Sequence, residues 1–427
     1  MQLTTHPQTQ IGRPQTRIAR PQTQIGQPVS KVFLLCLVLW LLGETIGSAL
    51  WIEGSSQLTL IVSSLWILFP LVFWRVSIMR AIEAWFSIGS GRQPLLMVVF
   101  LVVAAISTAF SVDPLYSAGY LVITVVMFGV FLAISRRLGS RLLEGIKWYP
   151  IFGSVFLLAV FATGRYAGTY QDRLVISDVD SPNNLGRLCV GVLFTSFFWK
   201  NRMIRALIAL PALVTLFATR SRGSWLALAV ILLTYYFIGN RNYAKKTILI
   251  MMAILIVIVT WNFVADPILA SLDLSDPNRG LGSGFTGRTA SWGVALRVFK
   301  SSPIWGGGFR AMQQYLEDSG FTVGSVHSGY LTVLAEVGVA GAIPFFWIII
   351  SGIARLFRAA TQGNTYARMG FAFAAGYMAL ALFESNLFVL ANPNAFLFWY
   401  FILKPPRLTA AVPVQSMDLP RIRAASI

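Results

Sequence analysis

The sequence predicts an all-α, polytopic membrane helix bundle, and three observations carry that prediction. Of its 427 residues, 56% are hydrophobic and only 12% charged, with a mean hydropathy of +0.69, a balance that water-soluble domains do not show. The apolar residues fall into about twelve separate runs, most of them near the ~20 residues that cross a hydrocarbon core of about 30 Å. The basic residues fall between those runs. The net charge of +18 therefore reads as a topology signal, and no nucleic acid is implied as a partner.

The first thirty residues hold three near-copies of a heptad, PQTQIGR from Pro7, PQTRIAR from Pro14 and PQTQIGQ from Pro21. With little to bury, residues 1–31 are expected to be a disordered cytoplasmic tail. A proline opens each repeat, which excludes a coiled coil. A signal peptide is the rival reading, but the apolar run from Leu34 reaches Glu44 without a clear small-residue cleavage site.

The membrane domain is expected over residues 32–403. Its spans are placed at 32–51, 57–74, 95–111, 115–134, 148–163, 185–199, 204–219, 224–239, 247–265, 329–350, 369–390 and 394–403. Short connectors make sequence neighbours antiparallel. A second cytoplasmic tail is expected over 404–427. Alternate connectors are rich in Lys and Arg, among them Arg75, Arg136, Lys147, Arg205, Lys245, Arg355, Arg358 and Arg368. By the positive-inside rule these face the cytoplasm, with both termini inside. The other connectors carry most of the loop acids and face outward. Cys36 and Cys189 lie in apolar runs and read as small buried hydrophobes, so neither a disulfide framework nor a metal cluster is implied.

The one long polar interior interval is 266–328, expected to be an outer loop with short interfacial helices. Loops of this length without regular structure are uncommon unless they are functional. From Arg288 it contains a helical stripe of Trp292, Ala295, Leu296 and Phe299, which predicts a helix lying along the membrane interface. Pro303 and Gly306 to Gly308 follow as a turn region. Its glycines do not form a nucleotide loop, because no Lys-Ser/Thr comes after them, and plain turn chemistry is the favoured reading.

The positive-inside rule leaves several outward cations unexplained: Arg165, Arg173, Arg187, Arg220, Arg222, Arg279, Arg288, Arg297, Lys300 and Arg310. Concentrated in a few connectors, they point to an anionic ligand. Arg220 and Arg222 flank Ser221 in a connector of almost no length, which holds both guanidiniums at the membrane surface. Their planar forks suit phosphate oxygens. The helix that starts there adds free N–H groups and a positive dipole end. Snorkelling to lipid headgroups is the alternative for both.

His327 is one of two histidines in the chain. Beside several arginines it is the evident proton acceptor near neutral pH, although a lone histidine is as often structural. Glu44, Glu336 and Glu384 fall inside the expected spans, where an acid is either functional or a hydrogen-bonding partner for a neighbouring helix. Asp178 and Asp180 form an Asp-x-Asp pair like that of metal-dependent, nucleotide-sugar enzymes, but an outer connector has little access to nucleotide sugars.

Taken in order, four segments resemble the O-antigen ligase and polymerase family: Thr219 to Leu226 (TRSRGSWL), Gly287 to Trp292 (GRTASW), Pro303 to Gly308 (PIWGGG) and His327 to Gly341 (HSGYLTVLAEVGVAG). Upstream, Arg173 and Ser181 to Gly186 (SPNNLG) resemble the family's outer-loop Pro-Asn motif. The resemblance covers roughly 160–400. It implies a multispanning glycosyltransferase of the bacterial inner membrane, with its site facing the periplasm. The donor would be an undecaprenyl-diphosphate-linked glycan and the acceptor a further glycan or the lipid A core, with no cofactor and no metal. By motif, His327 would activate the acceptor hydroxyl, while Arg222, Arg288 and Arg220 would hold the diphosphate. Arg173, Asn184, Arg310 and Glu336 are possible supporting residues. Ser328 stands where the family often has Asn. The absence of a large outer domain after the last span speaks against the protein-glycosylating branch. The motifs do not separate ligase from polymerase, though they suit the ligase label slightly better. The alternative from another class is a multispanning transporter or channel for a small anion.

Overall fold

The computed structural model describes residues 93–138, 141–164, 166–167, 173–175, 181–238, 288–321, 325–385, 387 and 392–403. Expected spans 32–51, 57–74 and 247–265, both tails, and Asp178 with Asp180 lie outside the described residues.

The described chain is mainly helical. It runs α1 (Gln93–Thr108), α2 (Pro114–Leu138), α3 (Arg141–Ile146), α4 (Tyr149–Thr163), β1 (Tyr166–Ala167), β2 (Arg173–Leu174), α5 (Pro182–Ser196), α6 (Arg202–Thr219), α7 (Arg222–Ile238), α8 (Arg288–Ser301), α9 (Met312–Asp318), α10 (Gly329–Thr361), α11 (Thr365–Leu380) and α12 (Pro393–Leu403). Among these, α2, α6 and α10 contain segments long and apolar enough to cross a membrane, while α1, α4, α7 and α12 are shorter apolar helices. The protein is a helical membrane protein.

The helix ends follow local chemistry. Ser181 caps α5 by accepting from the Asn183 N–H, with Pro182 in the first turn. Asn201 and Asn364 cap α6 and α11 in the same way. Gly164 closes α4 in the left-handed conformation. The packing follows side-chain distribution. α12 is apolar on every side and all its residues are buried, as expected of a helix at the centre of a bundle. Phe128, Phe345 and Phe398 pack on Trp399 with ring centroids 5.2, 5.7 and 5.4 Å away, and the Trp399 indole N–H donates to the Leu387 carbonyl at 2.7 Å. On α6, Met203, Leu207, Leu210 and Phe217 are exposed, an apolar outer face suited to lipid.

Hydrogen bonds group the connectors by bundle end. At one end the Trp199 indole reaches the Lys147 carbonyl, Arg205 donates to the Trp199 carbonyl, and Arg368 donates to the carbonyl of Tyr235 near the end of α7. At the other end lie the starts of α5, α7, α10 and α12 and the ends of α6 and α11. This is the alternation expected from the charge pattern.

Two expected spans need correction, and within the mainly helical fold the connector after α4 forms a short two-stranded antiparallel ladder, Tyr166 opposite Leu174 and Ala167 opposite Arg173. Among the described residues of the span expected at 369–390, the helix ends at Leu380, because Glu384 and Ser385 make polar contacts outside a helix. The span expected at 329–350 continues to Thr361, and its later part is tied down where Arg355 donates to the Ile402 carbonyl at 2.7 Å and to Gln93 at 3.0 Å. The buried face of α8 is Ser291, Val294, Ala295 and Val298. This face packs with α9 and Leu331 on the first part of α10 in a second small core, while Leu296 of the stripe expected at the membrane interface is exposed.

The longest helix, α10, is broken. Gly338 adopts φ 61°, ψ −169° within it. The Pro303–Gly308 turn is fitted into the gap. Val339 and Ala340 donate to the carbonyls of Pro303 and Ile304, while Gly307 and Gly308 donate to those of Ala335 and Glu336. Backbone groups freed by a helix break at membrane depth need such partners.

Candidate functional site

The site is built where the ends of α6 and α11 meet the starts of α5, α7, α8 and α10. Its first layer fixes the α6–α7 turn. Arg173, buried on β2, donates to the Thr219 carbonyl at the end of α6 (2.6 Å) and to Asn183 Oδ1 (3.2 Å). A cation at a helix C-terminus is favourably placed against the dipole. The Ser221 hydroxyl donates to the same Asn183 oxygen at 3.1 Å and to the Ser224 hydroxyl at 3.0 Å. A Cβ on Gly186 would lie 2.7 Å from the Ser221 Cβ, so only glycine allows this approach of α5. The Pro-Asn segment and the TRSRGSW segment are therefore one hydrogen-bonded unit. It presents Arg220, with φ 48°, and Arg222, the first residue of α7.

The second layer is the segment before α10. Ser328 caps that helix by accepting from the Leu331 N–H. The Ser385 hydroxyl accepts the Ser328 N–H at 3.3 Å and lies 3.1 Å from the Ser325 hydroxyl and 3.2 Å from that of Thr332. Gly329 donates to the Ala381 carbonyl at 2.8 Å. The stretch after α11 is thus fastened to the residues on both sides of His327, and this places Glu384 at the centre.

Around the Glu384 carboxylate stand three cationic or ionisable groups. Arg187 Nη1 is 3.2 Å from Oε2, Arg288 Nη2 is 3.9 Å away, measured to Oε1, and His327 Nδ1 is 4.0 Å from Oε2. The guanidinium of Arg288 also lies 5.6 Å from the Phe383 ring centre. Phe383 connects the two arginine-bearing segments, since a Cβ on Gly223 would fall 3.8 Å from its Cβ. Asn184 accepts from Arg187, and Asn394 donates to the Arg187 carbonyl at 2.6 Å.

Burial holds the His327 imidazole below the ordinary histidine range. Glu384 opposes that shift, while Arg288 and Arg187 add to it. The ring therefore favours its neutral form near pH 7 and can accept a proton. Its backbone sits at φ 53°. Among the described residues, the non-glycines with positive φ are Arg220, Arg310 and His327. All three are residues that the sequence singles out, and held backbone strain of this kind gathers at functional sites.

Of the expected site residues, His327 and Arg288 meet at Glu384, Asn184 joins through Arg187, and Arg173, Arg220 and Arg222 belong to the adjoining turn. Arg310 and Glu336 form a different cluster at the break in α10. There Glu336 is buried close to Arg310 and Met312, its carbonyl accepts from the Gly308 N–H, and Arg310 stacks 5.1 Å from the Tyr120 ring centre. Glu336 is about 12 Å along α10 from Ser328 at 1.5 Å per residue. Sequence reasoning did not place Arg187 or Glu384 in the site. The available signal was an acid inside an expected span facing an unexplained outward arginine.

The fold and this cluster define a helical membrane protein whose buried carboxylate gathers two arginines and a histidine beside an arginine-bearing turn. Residues 207–346 match the family model described as O-antigen ligase, a match that supports the resemblance to the O-antigen ligase and polymerase family. The matched stretch contains Arg220, Arg222, Arg288 and His327, whereas Arg173, Asn184, Arg187 and Glu384 lie outside it. A protein of Haemophilus influenzae, described as uncharacterised, is 25% identical over 229 residues, which is 48% of this chain and 56% of the relative. The chain thus spans little more than half the length of that curated relative.

Proposed function

We propose that this protein is a glycosyltransferase that moves a glycan from an undecaprenyl diphosphate carrier to an acceptor hydroxyl at the outer face of the bacterial inner membrane. Residues 32–403 are the catalytic membrane domain and 266–328 its periplasmic loop, with residues 1–31 and 404–427 as cytoplasmic tails. The family match supports the class of reaction. The observation that carries the reading onto this chain is the convergence of Arg288, His327 and the Arg220–Arg222 turn at one end of the bundle, where a lipid-borne anion would arrive.

The chemistry suits those groups. A carrier diphosphate is a good leaving group once its developing charge is stabilised, and arginine forks provide that stabilisation without a metal ion. One general base is then enough to take the proton from the acceptor. Arg222, Arg288 and Arg220 hold the diphosphate and His327 serves as base. Arg173 and Asn184 act behind them, and Arg310 with Glu336 supports the loop that carries α8. The motifs lean towards ligation onto a lipid A core acceptor over polymerisation of carrier-linked repeats or exopolysaccharide synthesis.

Purified protein given carrier-linked glycan and each candidate acceptor tests the reading. Transfer with release of the carrier is expected, and no product with any acceptor would overturn it. In a deletion strain, unattached long chains identify a ligase and single repeat units a polymerase.

A further inference from the structure

The structure assigns Glu384 the role of positioning residue for His327, with Arg187 holding the carboxylate in place. This deepens the proposed transfer reaction and rests on it. Neither residue falls within the matched stretch 207–346.

The assignment stands on three geometric observations. First, His327 Nδ1 is buried and has no hydrogen-bond partner among the described residues, and Glu384 Oε2 stands 4.0 Å away. A buried ring nitrogen without a partner is costly, and a carboxylate at that distance needs only a small movement to accept its proton. Catalytic hydrogen bonds are often long before substrate binds. Second, that same Oε2 is the oxygen held by Arg187 at 3.2 Å, in a pair whose side chains are 9% and 10% exposed. Arg187 is fixed in turn by Asn184 and Asn394, so the carboxylate beside the imidazole is anchored. Third, Ser385, the next residue, is hydrogen-bonded to Ser328 and close to Ser325 and Thr332, which sets Glu384 in register with His327.

The arrangement is that of a base oriented by a third group. A proton on Nδ1 directed at Glu384 leaves the Nε2 lone pair for the acceptor. In the transfer step the acceptor O–H bond breaks and its proton goes to Nε2. The freed electron pair forms the bond to the anomeric carbon as the anomeric C–O bond breaks, and that pair departs on the carrier diphosphate. The imidazolium then returns its proton to water. Glu384 stabilises the imidazolium, while Arg288 and Arg187, the other charged groups that face it, oppose it. A neutral residue at 384 leaves the arginines unopposed.

The test begins without turnover. The chain has two histidines, so in a His6→Ala background the imidazole signal of full-length protein in nanodiscs belongs to His327. Nitrogen NMR is expected to show the neutral ring protonated at Nδ1, and Glu384→Gln is expected to lower its titration midpoint by about one unit, the scale of a lost neighbouring charge. In transfer assays Glu384→Gln should lower kcat by roughly 10- to 100-fold, part of what a general base contributes, with the donor KM nearly unchanged. Glu384→Asp should recover part of the loss. An unchanged tautomer and midpoint in folded Glu384→Gln protein would overturn the positioning role. Inactivity of the wild-type protein on carrier-linked glycan, with the NMR result as expected, would overturn only the proposed function.

Discussion

The N–H of Val339 donates to the carbonyl of Pro303 at 2.9 Å across a break in the longest helix. That bond needs two glycines. A Cβ on Gly306, at φ 78°, would lie 2.3 Å from the Glu336 carbonyl oxygen, and one on Gly338, at φ 61°, would lie 2.2 Å from that of Ile304. Both positions face backbone, which cannot swing aside. Gly306→Ala and Gly338→Ala are therefore expected to destabilise the protein by more than about 1 kcal/mol each. Gly119, inside α2, has nothing within 4 Å of its Cβ position, and Gly119→Ala should raise stability by about 0.4 to 1 kcal/mol. Thermal unfolding of detergent-solubilised protein, compared across the three variants, checks the contrast.

The Arg187–Glu384 pair makes a second stability prediction. Removing Arg187 leaves the buried carboxylate only the longer contact with Arg288, so Arg187→Ala should cost up to about 3 kcal/mol. Glu384→Ala added to it should recover part of that loss, since the stranded carboxylate is gone. A double-mutant cycle measured by unfolding in detergent reads the coupling directly.

Much of this was legible in the chain because helix patterns are local. The spans expected at 95–111, 115–134, 148–163, 204–219 and 224–239 match α1, α2, α4, α6 and α7 within a few residues. Arg222 and Arg288 stood out as cations in the outward connectors, and His327 as one of two histidines. What was hidden depends on tertiary partners. Pro303 to Gly308 read as turn chemistry, since nothing local says that a turn will supply hydrogen bonds to a helix more than thirty residues later. Glu384 read as an acid within a span, because the contacts of Ser385 with Ser325, Ser328 and Thr332 that end the helical path cannot be seen from residues 369–390 alone. That α8 would also pack on α10 was hidden for the same reason.

The pH dependence of transfer follows from His327. Its midpoint lies below the ordinary histidine value of about 6.5, through burial first and the arginines second. The base form is required, so the rate should rise with pH through that lowered midpoint and already be near its plateau at pH 7. The kcat/KM profile from pH 4.5 to 8 checks this; an acid limb centred above about 6.5 would contradict it.

Topology is tested apart from activity. In a background free of Cys36 and Cys189, single cysteines at 288 and 327 should react with an impermeant thiol reagent added outside. Those at 136, 245 and 358 should react only after the membrane is opened. Labelling of position 327 from the cytoplasm alone would place the cluster on the wrong side for a periplasmic transferase.

The site residues should differ in how they fail. In the proposed reaction His327 serves the acceptor and not the donor, so His327→Ala should abolish transfer while carrier-glycan binding stays nearly intact. Arg288→Ala and Arg222→Ala should weaken binding and turnover together, each losing a charged hydrogen bond worth about 1.5 to 3 kcal/mol, or roughly ten- to a hundredfold. Arginine to lysine at either position should restore only part, because a point charge cannot reproduce the two-pronged contact. Arg358, exposed at the far end of α10, and Arg297, exposed on α8, serve as controls, and their alanine variants should keep near wild-type activity at matched expression. Binding of radiolabelled carrier-glycan measured beside single-turnover transfer separates the cases. Near wild-type turnover in His327→Ala would remove the histidine from the mechanism and leave charge stabilisation by the arginines as its supported part.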